Sequence, residues 1–192
     1  MQKYNFHKKN LLIFLIVYLI APLFFLSESF AQNSSIEYKI KAGYLYNFTK
    51  FISWPENELE TFNLCILGED PFGSIIDPIE KRTVKNKPIR LFRLRSITEV
   101  KRCQIVYVTH VDKKKDSAKI SLPEVLAISS LENILTVGES RQFTESGGMI
   151  AFFIQEEKVR LYINLQALRK SGLDVSAKLL EVAEIYEGEP ND

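Results

Sequence analysis

The most reactive side chains in the sequence are those of its two cysteines. Cys65 lies in the middle of the apolar run Phe62–Leu67, and Cys103 begins another apolar run, Cys103–Val108. Three kinds of chemistry are open to this pair: a disulfide that closes a loop of 38 residues, two buried free thiols, or a redox-active couple. The close Cys-x-x-Cys spacing that lowers a thiol pKa is absent, which disfavours the redox couple.

A histidine follows the second of these apolar runs. His110 comes directly after the predicted strand Cys103–Thr109, and functional sites often lie at the ends of strands. One histidine with no neighbouring cysteine or histidine cannot form the usual zinc ligand set, and no Gly-x-Ser-x-Gly nucleophile motif is present. We therefore keep His110 as a weak ligand-binding candidate and predict no metal site and no catalytic residue.

The loop Gly68–Gly73 connects the first apolar strand to a predicted helix. A glycine-bounded loop at a helix start can bind an anion, but Glu69 and Asp70 would repel phosphate. The lysine of a phosphate-binding loop and the dinucleotide glycine spacing are both missing. Asp70 before Pro71 fits helix capping instead, so the sequence predicts neither a cofactor nor an enzyme.

The first 31 residues have the pattern of a secretory signal peptide. A basic start leads into the apolar run Leu11–Leu26, and Ser29 and Ala31 supply the small residues that a signal peptidase recognises. An uncleaved membrane anchor is the alternative. The run is about 16 residues, shorter than the roughly 20 that span a bilayer, and Pro22 interrupts it. We predict cleavage after Ala31, export of residues 32–192, and an oxidising environment that favours the disulfide.

The charge of the exported part excludes one class of partner. Without the three lysines and one glutamate of residues 1–31, the chain has one more acidic than basic residue. A nearly neutral domain gives no electrostatic reason to expect binding to nucleic acid.

The order of apolar runs predicts one α/β domain with a mainly parallel central sheet flanked by helices. A helix over Ser35–Ile52 carries several tyrosines and phenylalanines, which suit either core packing or the wall of a ligand site. The predicted β-strands are Phe62–Leu67, Ile89–Leu94, Cys103–Thr109, Ile134–Val137 and a C-terminal β-hairpin of Met149–Ile154 with Lys158–Asn164. The remaining helices are predicted over Pro71–Glu80, Ser96–Arg102, Leu122–Ser130, Leu165–Ser171 and Val175–Ile185.

Several stretches together resemble the YfiR-like family of periplasmic proteins, from about Tyr38 to Ile185. The clearest match is KAGYLYNFTKF, residues 41–51, followed by Trp54-Pro55. Further matches are CILG at 65–68 with DPFG at 70–73, LTV at 135–137, GGMI at 147–150, INL at 163–165 and SAKLL at 176–180.

The resemblance implies a periplasmic repressor of an inner-membrane diguanylate cyclase. Members bind the periplasmic sensor domain of the cyclase, lower cyclic-di-GMP synthesis and so control biofilm formation. An OmpA-type outer-membrane lipoprotein can sequester the repressor. The family also implies a homodimer and an intramolecular disulfide, which Cys65 and Cys103 match. Some relatives have a second cysteine pair that this chain lacks.

Two other functions remain open from the residues. One is a small-molecule sensor or transport-accessory module that uses the aromatic helix and His110 around a pocket. The other is a thiol oxidoreductase, for which replacement of Cys65 by serine would abolish turnover rather than only lower stability.

Overall fold

The computed structural model describes residues 34–56, 59–109 and 121–188. The chain divides into a unit of Met1–Tyr38, of which 34–38 are described, and a compact unit of Lys39–Asp192. The predicted signal peptide, its cleavage point Ala31, and His110 all lie outside the described residues. Within the described ranges, no helix is long and apolar enough to cross a membrane.

Strands and short helices alternate along the described chain. Helix α1 covers residues 34–51. The strands are β1 Ile52–Ser53, β2 Phe62–Leu67, β3 Thr83–Val84, β4 Lys87–Leu94, β5 Ile105–Val108, β6 Leu135–Glu139, β7 Ile150–Gln155, β8 Lys158–Asn164, β9 Asp174–Val175 and β10 Ala183–Tyr186. The other α-helices are α2 Leu122–Leu131, α3 Arg141–Glu145, α4 Leu165–Lys170 and α5 Ala177–Leu180, and 3₁₀ helices cover Gly73–Ile75, Asp77–Lys81 and Ile97–Arg102.

Eight of the strands form one sheet in the order β10-β8-β7-β6-β5-β2-β4-β3. The pairs β4–β2, β2–β5, β5–β6, β6–β7 and β8–β10 are parallel, whereas β7–β8 and β3–β4 are antiparallel. The chain therefore starts in the middle at β2, adds β4 on one side and then builds outward from β5 on the other. The predicted fold class is confirmed. Strands β1 and β9 form a separate antiparallel ribbon.

The central strands are buried on both faces, as expected for a parallel sheet covered by helices. On one face, Cys65 and Val106 pack with residues of the 3₁₀ helix Ile97–Arg102, of α2 and of α3. On the other face, Tyr107 of β5 contacts Phe152 of β7, which in turn stacks on Phe48 of α1. The sheet is thus the middle of three layers.

The helix predicted over Pro71–Glu80 is wrong. This segment forms the two 3₁₀ helices Gly73–Ile75 and Asp77–Lys81. Asp70 does not cap an α-helix, because its Oδ1 accepts the N–H of Phe72 at 2.7 Å in a tight local turn. Its Oδ2 accepts a hydrogen bond from Arg93 at 2.7 Å, which ties the turn to β4.

The helix predicted over Val175–Ile185 is also wrong. Val175 lies in β9 and pairs with Ile52 of β1, while Ile185 lies in β10 and pairs with Ile163 of β8. Only the four residues of α5 between these strands are helical. Pairing with distant strands overrides the helical spacing of the apolar residues here.

The predicted C-terminal β-hairpin is confirmed, with a two-residue loop. Gln155 pairs with Lys158, so Glu156 and Glu157 alone make the turn. Their φ angles are +49° and +59°. A turn with two positive φ angles is the type that matches the twist of a hairpin, and Asn-Gly is its preferred sequence.

We predict that the double substitution Glu156→Asn/Glu157→Gly stabilises the protein. Asparagine and glycine adopt positive φ at lower cost than glutamate, so the free energy of unfolding should rise by about 1 kcal/mol. Urea denaturation of residues 32–192 measures it. The control is Glu156→Gln/Glu157→Gln, which removes the same charges but keeps the backbone cost. An equal rise in both variants would contradict the conformational explanation.

Candidate functional site

Cys65 and Cys103 form a disulfide in the structure. Cys65 lies within β2, and Cys103 lies two residues before β5, with their Cα atoms 6.0 Å apart. The two residues are 0% and 2% exposed and belong to the apolar cluster on one face of the sheet. A reductant has no direct path to sulfurs buried in this way, so the geometry suits a structural crosslink.

The same strand pair is joined again just before β5 begins. Gln104 donates its backbone N–H to the carbonyl of Asn63 at 2.8 Å, and its side-chain Oε1 accepts the N–H of Asn63 at 2.6 Å. Trp54 donates its indole N–H to the carbonyl of Gln104 at 3.1 Å, and its ring meets that of Phe62 edge-on at 5.2 Å. Trp54 of the Trp-Pro motif therefore attaches the segment after α1 to the start of β5.

Lys41, which begins the longest motif, is a buried charge. Its ammonium group contacts Glu139 at the end of β6 at 2.8 Å, and the side chains are 3% and 23% exposed. The Tyr107 hydroxyl donates a hydrogen bond to the same carboxylate oxygen. Helix α1 is thereby held by charge to the carboxyl ends of β5 and β6. Reasoning from sequence missed this group; its only signal was a lysine inside the apolar pattern of α1.

Two aromatic residues of α1, Phe48 and Tyr44, pack against the aromatic residues of the sheet. Phe48 is fully buried and stacks on Phe152 at 6.0 Å, and Tyr44 contacts both rings at 6.3 and 5.8 Å. Phe72 meets Tyr107 edge-on at 4.8 Å. Of the two interpretations of this helix, core packing is the one that the structure supports.

The carboxyl edge of β2 and β5 is closely packed. In the sequence, His110 comes directly after Thr109 at this edge. In parallel sheets, ligands commonly bind in the crevice where the strand order reverses direction. Here that point lies between β2 and β5. Thr109 donates both its N–H and its Oγ1–H to the carbonyl of Leu67 at 3.1 Å. Gly68 has φ +102°, and a Cβ there would lie 2.3 Å from Thr109 Oγ1. Side-chain packing therefore fills the crevice between Gly68 and Thr109.

The loop Gly68–Gly73 is held by an arginine instead of forming an anion cradle. Arg93 donates to Asp70, to the carbonyl of Gly73 at 2.9 Å and to Asp77 at 2.8 Å. The hydrogen bonds that Arg93 donates to Asp77, and then to Asp70, raise the pKa of Arg93 above its ordinary value. Among the described residues, no group of three or more His, Cys, Asp or Glu side chains could hold a metal ion.

These contacts define a disulfide-bonded α/β domain whose motif residues hold its layers together. The chain belongs to the YfiR/HmsC-like family, because the family model matches residues 38–184. The match covers nearly all of the compact unit Lys39–Asp192, and it confirms the family that the motifs indicate.

Comparison with curated proteins gives no match. Among solved structures, the chain is similar to a conserved domain protein from Vibrio cholerae O1 biovar El Tor, with 10% identity, TM-score 0.46, and coverage of 64% of this chain and 54% of that one. It is also similar to an ABC domain in complex with L-Trp from Streptococcus pneumonia, with 11% identity, TM-score 0.48, and coverage of 73% and 59%. The chain spans little more than half the length of either protein, and neither likeness bears on function.

We predict that loss of the disulfide lowers the free energy of unfolding by about 3–4 kcal/mol, because a crosslink over this loop length restricts the unfolded chain. The test is urea denaturation of Cys65→Ala/Cys103→Ala beside wild type with and without dithiothreitol. The reduced wild type should match the variant, and dithiothreitol should leave the variant unchanged. Equal stability of oxidised and reduced wild type would show that the bridge contributes nothing.

We also predict energetic coupling between Lys41 and Glu139. Removing one partner leaves a buried charge with weaker compensation, so Lys41→Met and Glu139→Gln should each cost about 1–3 kcal/mol. The double variant should cost less than the sum of the two by at least about 0.5 kcal/mol. Urea denaturation of the four proteins gives the cycle, and Lys39→Met, on an exposed lysine of the same helix, is the control. Additive costs would contradict a direct ion pair.

Proposed function

We propose that the protein is a non-enzymatic periplasmic regulator that binds and represses the periplasmic sensor region of an inner-membrane diguanylate cyclase. Through the cyclase it would control cyclic-di-GMP and biofilm formation. The observation that carries this proposal is the family match over residues 38–184, since the family is one of periplasmic regulatory proteins.

The motif residues hold the fold together, which supports a binding role for the protein's surface. Lys41, Trp54, Cys65 and Cys103 are all used in contacts between layers or strands. Side chains that hold a fold rigid leave its surface for recognition, and a rigid surface loses little conformational entropy on binding. The buried disulfide agrees with export of residues 32–192 to an oxidising compartment after cleavage at Ala31.

The proposed mechanism is a shift in the population of cyclase conformations. A binder changes the output of a two-state partner only through its preference for one state, and a shift from mostly active to mostly inactive needs a preference of about 10⁴-fold. The regulator would bind the inactive form of the sensor region as a homodimer. An OmpA-type outer-membrane lipoprotein that sequesters the regulator would free the cyclase.

The small-molecule sensor or transport-accessory module remains the alternative. Its expected aromatic wall on α1 is core, because Phe48 is fully buried and stacks on Phe152. Phe48 is therefore not available as the wall of a ligand site.

The test of the proposal combines a binding and a cellular measurement. The full chain is expressed with an inner-membrane cyclase from the same organism, and the N-terminus of the exported form, expected at Gln32, is read by mass spectrometry. We expect residues 32–192 to co-elute with the purified sensor region in size-exclusion chromatography. We also expect cellular cyclic-di-GMP to fall several-fold when the chain is exported.

Two controls restrict the interpretation. A chain that lacks residues 1–31 stays in the cytosol and should leave cyclic-di-GMP unchanged, as should the full chain beside a cyclase without its periplasmic region. Unchanged cyclic-di-GMP with the exported chain, together with separate elution of the two purified proteins, would overturn the proposal.

A further inference from the structure

A groove of about 700 Å³ lies on the protein surface between α2 and α4. At one end the two helices finish beside each other, because Nδ2 of Asn133, just after α2, donates to the carbonyl of Ser171, just after α4, at 2.7 Å. At the other end, Nδ2 of Asn164, directly before α4, donates to the carbonyl of Thr144 at 3.2 Å. We call these the carboxyl end and the amino end of the groove.

The walls of the groove are largely apolar and are formed by small side chains. Helix α2 supplies Leu126 and Ala127 to one wall, and α4 supplies Ala167 to the other. Gly147 closes the amino end, where a Cβ on it would lie 3.5 Å from Leu126. Among the described lining residues, Lys170 at the carboxyl end carries the one charge. The groove therefore has room for an apolar side chain from another molecule.

Leu131 protrudes from the rim of the groove at its carboxyl end. It is the last residue of α2 and is 83% exposed, more than any other large apolar side chain of the described chain. Single exposed apolar residues are common on protein surfaces, but Leu131 also lines an apolar groove. One surface thus carries both a projecting leucine and a space that could receive one.

The two ends of the groove carry opposite charges. Glu124 of α2 and Glu145 of α3 are exposed at the amino end, and Arg169 and Lys170 of α4 are exposed at the carboxyl end. Within the described chain, none of these four side chains forms a salt bridge. Their charges are therefore available to a binding partner.

Other charged residues nearby do not cancel this difference. At the carboxyl end, Glu132 pairs with Lys101 at 3.5 Å, and Glu187 lines a neighbouring hollow together with Arg169 and Lys170. Three cations thus face two carboxylates there. On α3, near the amino end, Arg141 already forms an ion pair with Glu184.

We infer that the groove between α2 and α4 is the contact surface between two copies of this chain related by a two-fold axis. The axis is perpendicular to the groove, so the amino end of one copy faces the carboxyl end of the other. Leu131 of each copy enters the groove of the other beside Ala127, and Glu124 of each copy faces Lys170 of the other. A two-fold contact requires a surface that is complementary to itself, and this surface has both halves of each interaction.

The inference gives a surface to the homodimer of the proposed function, but it does not rest on the cyclase. Oligomeric state is measured on the purified chain alone. A chain that stays monomeric and still co-elutes with the sensor region would contradict the inference and leave the binding role intact. A dimer through this groove that never binds the sensor region would do the reverse.

The first test is sedimentation velocity of residues 32–192 from about 1 to about 300 μM. We expect a reversible monomer–dimer equilibrium, which Leu131→Gln should weaken by at least about tenfold because the dimer buries both leucines. The substitution should leave the monomer folded, since this side chain is already exposed. Ile154→Gln, at an exposed isoleucine of β7 outside the groove, is the control and should dimerise as wild type.

The second test uses charge reversal at low ionic strength, where exposed charges are least screened. Glu124→Lys and Lys170→Glu each place like charges opposite one another in both contacts, so each variant alone should dimerise at least about fivefold more weakly. An equimolar mixture of the two should regain nearly the affinity of wild type, because each contact of the mixed dimer again joins opposite charges. Mixing could not restore an ion pair within one chain.

Glu157→Lys and Lys158→Glu, at exposed positions of the β7–β8 hairpin, are the matched controls and should dimerise as wild type both alone and mixed. Three results would each overturn the inference: a monomer over the whole concentration range, a dimer of Leu131→Gln as tight as that of wild type, or no recovery of the dimer on mixing the two groove variants.

Discussion

The pairing of β2 with β5 is the constraint on which the rest of the structure depends. These strands lie at the centre of the sheet and are separated by 38 residues between their cysteines, so their pairing closes a long loop. Three contacts join the two strands along their length. Gln104 hydrogen-bonds Asn63 at the amino edge, the disulfide lies beside the middle, and Thr109 hydrogen-bonds Leu67 at the carboxyl edge. Once one of these contacts sets the register of the two strands, the residues of the other contacts already face each other. Each further contact therefore costs less conformational entropy.

The two outer layers are attached to this pair by different interactions. The face with Cys65 is covered by apolar contacts from the 3₁₀ helix Ile97–Arg102, α2 and α3. The opposite face holds α1 through stacked rings and through the ion pair of Lys41 with Glu139. An ion pair adds little net stability when both charges must be desolvated, but it defines one orientation, since a shift of α1 would separate the two buried charges. We infer that Lys41 fixes the position of α1 along the sheet.

The sequence predicts best the elements that short-range chemistry determines. The strand Phe62–Leu67 is mostly apolar and is buried throughout. Asn164, directly before α4, caps that helix by accepting the N–H of Ala167 at 2.9 Å. The failures have distant causes. The segment Val175–Ile185 has helical spacing, yet its ends pair with β1 and β8.

The candidate sites differ in the same way: some contacts can be predicted from the sequence, and others join residues far apart in the chain. The two cysteines are the only pair available, so their bond could be predicted, whereas Lys41 and Glu139 are 98 residues apart and no local pattern links them. Gln104 is a further case. A glutamine between a cysteine and an apolar strand has no special signal, and only the structure shows that its Oε1 accepts the N–H of Asn63.

Gln104 shows how closely the central pairing is tied to its neighbours. Its Oε1, its N–H and its carbonyl are all used to join β2, β5, β6 and Trp54. A regulator that works by differential affinity needs one well-defined surface, and the crosslinked pair provides a scaffold for it. Rigidity at β2 and β5 therefore preorganises the surface for a protein partner.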